Sequence, residues 1–161
     1  MIFDEAKYRF MSAALKEAEK AFEENEVPIG AIIVHDNKII GRGFNRIEKL
    51  NDATAHAEIL AITAASNHFG NWRLTNCDLY VTVEPCVMCI GAILLSRIKN
   101  IYFSIFDPKF GACGSVYNIA QESKLNHTVN VYAGLLAEEC QLLMHEFFKQ
   151  KRKAKANPVH K

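Results

Sequence analysis

The chain has 161 residues, half of them apolar and 23% charged, and its formal net charge is +1. This profile fits one globular domain with a core of its own. The longest apolar runs are too short to span a membrane and the acidic N-terminus is unlike a signal peptide, so we expect a cytoplasmic protein. Five cysteines, an odd number with scattered spacing, do not indicate a disulfide framework and favour reduced thiols used for packing or for metal.

The first half of the chain predicts a helix, a hairpin and a second helix. Asp4 can cap the first helix, which runs to about Asn25. Two β-rich runs, 31–35 and 38–44, are separated by the turn residues Asp36-Asn37 and predict a hairpin. The second helix is predicted over 55–66, with Thr54 or Asp52 as its cap.

The second half alternates strands and helices. Strands are predicted at 79–83, 100–103 and 128–132, and a helix at 85–96. A loop at 107–115 and a short helix precede the last strand. The final helix has an apolar stripe formed by Leu136, Cys140, Leu143 and Phe147. This order predicts an α/β fold: a three-layer α/β/α sandwich around a five-stranded mixed sheet.

Two short motifs carry the chemistry. His56-Ala57-Glu58 begins the second helix and Pro85-Cys86-Val87-Met88-Cys89 begins the third, so both lie where helix N-termini can converge at one end of the sheet. A helix start favours the thiolate form of a Cys-x-x-Cys pair, and His56 can supply a third ligand. The sequence therefore predicts one zinc ion held by His56, Cys86 and Cys89. Its fourth position would be open to water, as in catalytic zinc sites.

Glu58 is the candidate catalytic residue. A zinc ion lowers the pKa of its water from about 15.7 toward about 7. From the same helical turn as His56, Glu58 can reach that water without binding the metal, accept its proton and pass protons to a substrate.

Each motif alone also has a simpler interpretation. A single Cys-x-x-Cys can be a redox dithiol, His56 a core or capping histidine, and Glu58 an acid favoured by the helix dipole. Together, the His-x-Glu and Pro-Cys-x-x-Cys motifs form the signature of zinc-dependent nucleobase deaminases.

The C-terminus is basic. From Lys149 onward it contains six Lys or Arg and no acid, whereas the remainder has 13 bases and 18 acids. This segment is either a solvated tail or a phosphate-binding patch. We divide the chain into a single zinc deaminase domain at 1–152 and a basic tail at 153–161.

Several segments outside the metal motifs resemble the bacterial tRNA-specific adenosine deaminases, and the likeness covers about residues 8–152. The matching segments are Glu26 to Ala31, Gly43 to Asn45, Thr54 to Ile59, Glu84 to Cys89, Asp107 to Ser115, Leu125 to His127, and Phe147-Phe148 before the basic residues. Within 107–115, Pro108 and Phe110 replace smaller residues expected from the family.

The resemblance implies a cytidine deaminase-like fold and conversion of adenosine to inosine at the wobble position of an arginine tRNA, by a homodimer with one zinc ion per subunit. The partner would be an anticodon stem-loop. The residues implied to contact the substrate are Asn45, Ala57, Glu84, Asp107 and Lys109. Those implied to contact the RNA backbone are Lys149, Lys151, Arg152 and Lys153.

Two other functions use some of the same features. A deaminase of a free nucleobase or nucleoside, such as guanine or cytosine, would share the zinc site but would not need the basic tail. A catalytically silent RNA-binding or zinc-structural protein would need neither Glu58 nor an open metal position.

Overall fold

The computed structural model describes residues 3–156, and the predicted fold class is confirmed. Helix α1 (Glu5–Glu23) begins where predicted, because the Asp4 carboxylate accepts a hydrogen bond from the Lys7 backbone N–H at 3.0 Å. The other elements, in chain order, are β1 (Gly30–His35), β2 (Lys38–Phe44), α2 (Ile47–Leu50), α3 (Ala57–Phe69), β3 (Asp78–Val83), α4 (Val87–Leu95), β4 (Asn100–Ile105), a 3₁₀ turn (Ile119–Gln121), β5 (Asn130–Ala133) and α5 (Ala137–Ala156).

The five strands form one mixed sheet in the order β2-β1-β3-β4-β5. Strand β1 runs antiparallel to both β2 and β3, whereas β3, β4 and β5 are parallel. The hairpin therefore supplies one edge of the sheet, and crossover connections supply the rest.

The sheet is covered on both faces, as its alternating side chains require. Residues such as Ile33, Val81 and Phe103 belong to the core that includes α3 and α4. Ile32 and Tyr80 point to the opposite face and pack with α1. Helix α5 packs on this second face against α1 and β4, which completes the three layers.

Glycines in β2 allow α3 to lie close to the sheet. A Cβ atom at Gly43 would collide with the backbone of Ala57 and Ala61, and one at Gly41 with the backbone of Ala61 and Ala65. Since α3 begins beside the metal motifs, this close packing also fixes the position of His56 and Glu58.

The helix starts differ from the prediction in a way that matters for function. Asp52 and Thr54 do not cap α3, because the Asp52 carboxylate instead accepts hydrogen bonds from the backbone N–H and hydroxyl of Thr54, at 2.8 and 2.7 Å. His56 occupies the N-cap position in extended backbone, and Cys86 does the same for α4. Neither side chain caps its helix, so both remain available as ligands.

Two further differences concern an additional short helix and the end of the last helix. The short helix α2 was not predicted, and α5 continues through Ala156, into the segment assigned to the tail. Residues 157–161 of that tail, including Lys161, lie outside the described residues. Among the described residues, no helix is both long and apolar enough to cross a membrane.

Candidate active site and metal centre

The three predicted ligands meet at one point, which we call the metal corner: His56, Cys86 and Cys89. The His56 Nδ1 atom lies 3.7 Å from Cys86 Sγ and 3.5 Å from Cys89 Sγ, and all three ligand atoms lie within 4.8 Å of one another. A tetrahedral zinc ion with ordinary Zn–N and Zn–S bonds places a ligand nitrogen about 3.6 Å from a ligand sulfur. The donor set and its spacing therefore fit zinc.

The electrostatics of the metal corner also favour a cation. Hydrogen bonds from Cys89 and His56 lower the pKa of the Cys86 thiol to about 4, so this sulfur is a thiolate at neutral pH. The hydrogen bond between His56 and Cys86 raises the pKa of the His56 imidazole. The hydrogen bond between Cys89 and Cys86, together with burial, raises the pKa of the Cys89 thiol. A cation at this point replaces those protons as the partner of the thiolates.

Glu58 lies beside the metal corner in the first turn of α3. It is only 4% exposed and lines the adjacent cavity, and it is not one of the three clustered ligands. Burial raises the pKa of its carboxyl to about 7. A carboxyl group with this pKa can both accept and return protons near neutral pH.

A cavity of about 520 Å³ opens next to these residues, which is a size typical of small-molecule sites. His56, Ala57 and Glu58 form part of its wall. The remaining wall comes from four other segments: Val27 and Ile29, Asn45 and Ile47, Val83 with residues 105–110, and Met144 with Phe148. The cavity is mostly apolar with few polar groups, as is typical of small-molecule sites.

The rim loop, residues 107–115, is held in place by one buried carboxylate. Glu84 accepts hydrogen bonds from the backbone N–H groups of Asp107 at 3.0 Å, Cys113 at 2.9 Å and Ser115 at 3.1 Å. Gly111 packs against this carboxylate so closely that a Cβ atom there would collide with it. Glu84 does not line the cavity, and both of its oxygens accept hydrogen bonds from the rim loop, so its predicted contact with substrate stays a prediction.

The comparisons with known proteins agree with this geometry. The family model for the cytidine and deoxycytidylate deaminase zinc-binding region matches residues 4–105. The chain belongs to this zinc-dependent deaminase family. It is therefore a hydrolytic enzyme, and zinc is the cofactor of the family.

Within the deaminase family, the chain is similar to tRNA adenosine deaminases. It is 51% identical over 148 residues to a tRNA-specific adenosine deaminase of Streptococcus pyogenes, covering 92% of this chain and 93% of the relative. It is also similar to a solved structure from a study of A-to-I editing by tRNA:A34 deaminases, with 45% identity, a TM-score of 0.81, and coverage of 84% and 98% of the two chains. A guanine deaminase of Nitrosomonas europaea shares only the fold, at 23% identity and a TM-score of 0.76 over 87% of this chain and 83% of the other.

The other predicted substrate residues lie where a base could contact them. Asn45, at the end of β2, lines the cavity, as do Ala57, Asp107 and Lys109. The Asp107 carboxylate accepts hydrogen bonds from the backbone N–H groups of Lys109 at 2.9 Å and Phe110 at 3.2 Å, so it also shapes the rim loop.

Cys113 lies near the site without joining the metal corner. Burial raises the pKa of its thiol to about 12, and its backbone N–H donates to Glu84. A role in packing therefore fits Cys113 better than a role as a fourth ligand.

The basic residues of α5 divide into two groups. Lys151, Arg152 and Lys155 line a groove of about 410 Å³, which we call the basic groove. It shares Val27, Asn45, Ile47 and Phe148 with the cavity, so the two adjoin. Lys149 instead lies 3.6 Å from the Glu146 carboxylate, and neither Lys149 nor Lys153 lines the groove.

The residues of the site that the sequence-based prediction missed include Lys155, Phe106 and Met144. Phe106 and Met144 line the cavity, and Lys155 lines the basic groove. The spacing of 151 and 155 by four residues is the one signal that could have found Lys155, because it puts both side chains on one helix face.

Proposed function

We propose that the protein deaminates adenosine to inosine in tRNA, at the wobble position of an arginine tRNA anticodon. The main support is that the cavity beside the metal corner adjoins the basic groove, with which it shares four lining residues. The groove suits a chain of phosphates, and the cavity suits one base. The S. pyogenes relative and the tRNA:A34 deaminase support the same activity.

The reaction divides between the cofactor and the chain. Zinc supplies a Lewis acid that makes a water molecule nucleophilic at neutral pH. Glu58 would take one proton from the attacking water and deliver it to ring nitrogen N1 as the oxygen bonds to C6. It would then take the second proton from the new C6 hydroxyl and deliver it to the departing amine as the C–N bond breaks. Its burial and raised pKa suit this exchange of protons. Ammonia leaves, and hypoxanthine remains in the RNA.

Neighbouring residues would orient the base and exclude water. Asn45 carries both a hydrogen-bond donor and an acceptor, which a purine edge requires. Apolar side chains such as Val27 and Ile29 enclose the base. An unpaired base enters such a pocket at lower cost than a paired one, so an anticodon loop is a suitable substrate.

The assembly and location are part of the same proposal. We propose that the enzyme acts as a homodimer in the cytoplasm and that an anticodon stem-loop is its partner. Size-exclusion chromatography with light scattering tests the dimer, and a monomer active on RNA would contradict it.

The deciding experiment is incubation of the zinc-loaded protein with an arginine anticodon stem-loop, followed by detection of inosine. A stem-loop with cytidine at the wobble position and free guanine, cytosine and adenosine serve as controls. We expect inosine only at the wobble adenosine. Rapid ammonia release from a free base, with an unmodified stem-loop, would instead favour the nucleobase deaminase. Stem-loops of other tRNAs with the same wobble adenosine test the restriction to arginine tRNA.

A further inference from the structure

Two exposed aromatic side chains on the wall of the cavity are not used by the chemistry. Phe106 is 56% exposed and Phe110 is 68% exposed, and both line the cavity next to Asp107 and Lys109. Large apolar side chains exposed at a functional opening usually mark a binding surface. More than half of each residue is exposed, so most of its surface is available for contact with a ligand.

Both rings are attached to a rigid support. Phe106 packs edge-on against the buried Phe103, with ring centroids 5.0 Å apart. The Phe110 backbone is fixed by its hydrogen bond to Asp107, and the rim loop as a whole is fixed by Glu84. The loss of conformational entropy on ordering the loop is therefore small when a ligand contacts these rings.

The surrounding charge indicates what the ligand is. Lys109 lies between the two rings in sequence, is exposed, and forms no ion pair with the described residues. Aromatic faces next to a cation are typical of sites for single-stranded nucleic acid, where bases stack and phosphates pair with the cation. The adjoining basic groove, lined by Lys151, Arg152 and Lys155, would supply further phosphate contacts.

We propose that Phe106 and Phe110 form a stacking subsite for an unpaired base next to the deaminated nucleotide in the RNA. This inference rests on the proposed function, because it assumes an RNA substrate. The subsite would hold the neighbouring base away from the target base and so keep the loop open at the cavity. A deaminase of free nucleobases has no neighbouring base and no need for these rings.

The test combines protein and RNA changes. Phe110→Ala removes one ring, and Phe106→Leu removes the other while keeping apolar contact with Phe103. Trp72→Ala is the matched control, because Trp72 is also exposed but follows the far end of α3. Each variant is assayed on an intact stem-loop and on two stem-loops with an abasic nucleotide on the 5′ or the 3′ side of the target adenosine. Thermal unfolding checks that each variant folds.

We expect Phe110→Ala and Phe106→Leu to lower kcat/KM on the intact RNA by on the order of ten-fold, as for loss of one stacking contact. On one of the two abasic RNAs this loss should disappear, and Trp72→Ala should behave as wild type on all three. A loss that persists on both abasic RNAs would overturn the inference, since the rings would then act on the target base or only on the loop. No loss on intact RNA would overturn it as well.

A binding measurement separates this inference from the proposed function. Glu58→Gln protein is titrated with the same RNAs by fluorescence anisotropy, with and without the Phe110→Ala change. If wild-type protein forms no inosine but the neighbouring base still strengthens binding through Phe110, the proposed function fails and the stacking subsite stands. If the protein neither binds nor deaminates the RNAs, both proposals fail.

Discussion

The metal corner and the rim of the cavity are built in opposite ways. The metal corner takes its ligands from the starts of α3 and α4, two helices whose residues belong to the buried core. The rim consists of exposed rings and cations on the rim loop and on α5. Because the rim residues lie outside the metal corner, we expect a change at the rim to alter RNA binding without displacing the metal ligands.

The strongest test of this separation is removal of a metal ligand. We expect Cys86→Ala to lose its zinc and all detectable deamination, because two ligands hold the ion far less tightly than three. Zinc content is measured by elemental analysis, and activity by inosine formation. Cys113→Ala is the control and should keep both, since Cys113 lies outside the metal corner. Loss of zinc from Cys113→Ala would add Cys113 to the ligand set.

Glu58→Gln should have the next largest effect. Loss of a positioned general acid and base lowers rates by about 10²- to 10⁴-fold, and the amide has nearly the shape of the carboxyl group. Zinc content should be unchanged, because Glu58 is not among the clustered ligands. Loss of zinc together with activity would instead make Glu58 part of the metal site, and unchanged turnover would exclude it as the proton carrier.

The two regions also differ in how far the sequence could predict them. The ligands of the metal corner belong to two short motifs at helix starts. The expected convergence of those helix starts at one end of the sheet, together with the combined signature, was enough to predict that His56 and both cysteines meet. The sheet could be predicted because strands and helices alternate along the chain. The position of Glu84 could not, because its three hydrogen-bond donors lie 23 to 31 residues further along the chain. Lys155 likewise joins the site only through the tertiary placement of α5, whose Met144 and Phe148 line the cavity.

Glu84→Gln tests whether the rim loop depends on its buried carboxylate. The amide can accept fewer of the three backbone N–H groups, and hydrogen bonds to a charged group contribute about 1.5–3 kcal/mol each. We expect the free energy of unfolding to fall by about 2 kcal/mol. We also expect kcat/KM on the stem-loop to fall on the order of ten-fold as the rim loop loosens, a loss of transition-state stabilisation without loss of zinc. Chemical denaturation, kinetics and elemental analysis measure the three quantities. A fully active, equally stable variant would show that the rim loop keeps its conformation without the Glu84 carboxylate.

The smallest effect is expected from the basic residues, and α5 offers a matched pair of variants. Lys151→Gln with Lys155→Gln removes two cations from the basic groove, whereas Lys149→Gln with Lys153→Gln removes two cations outside it from the same helix. Each phosphate contact on single-stranded RNA contributes about 0.7 to the slope of log K against log salt. The groove pair should therefore lower that slope by about 1.4, and the other pair should leave it nearly unchanged. Because both variants change the net charge equally, equal slopes would mean that α5 attracts RNA only through its overall charge, and that the basic groove does not define the path of the RNA.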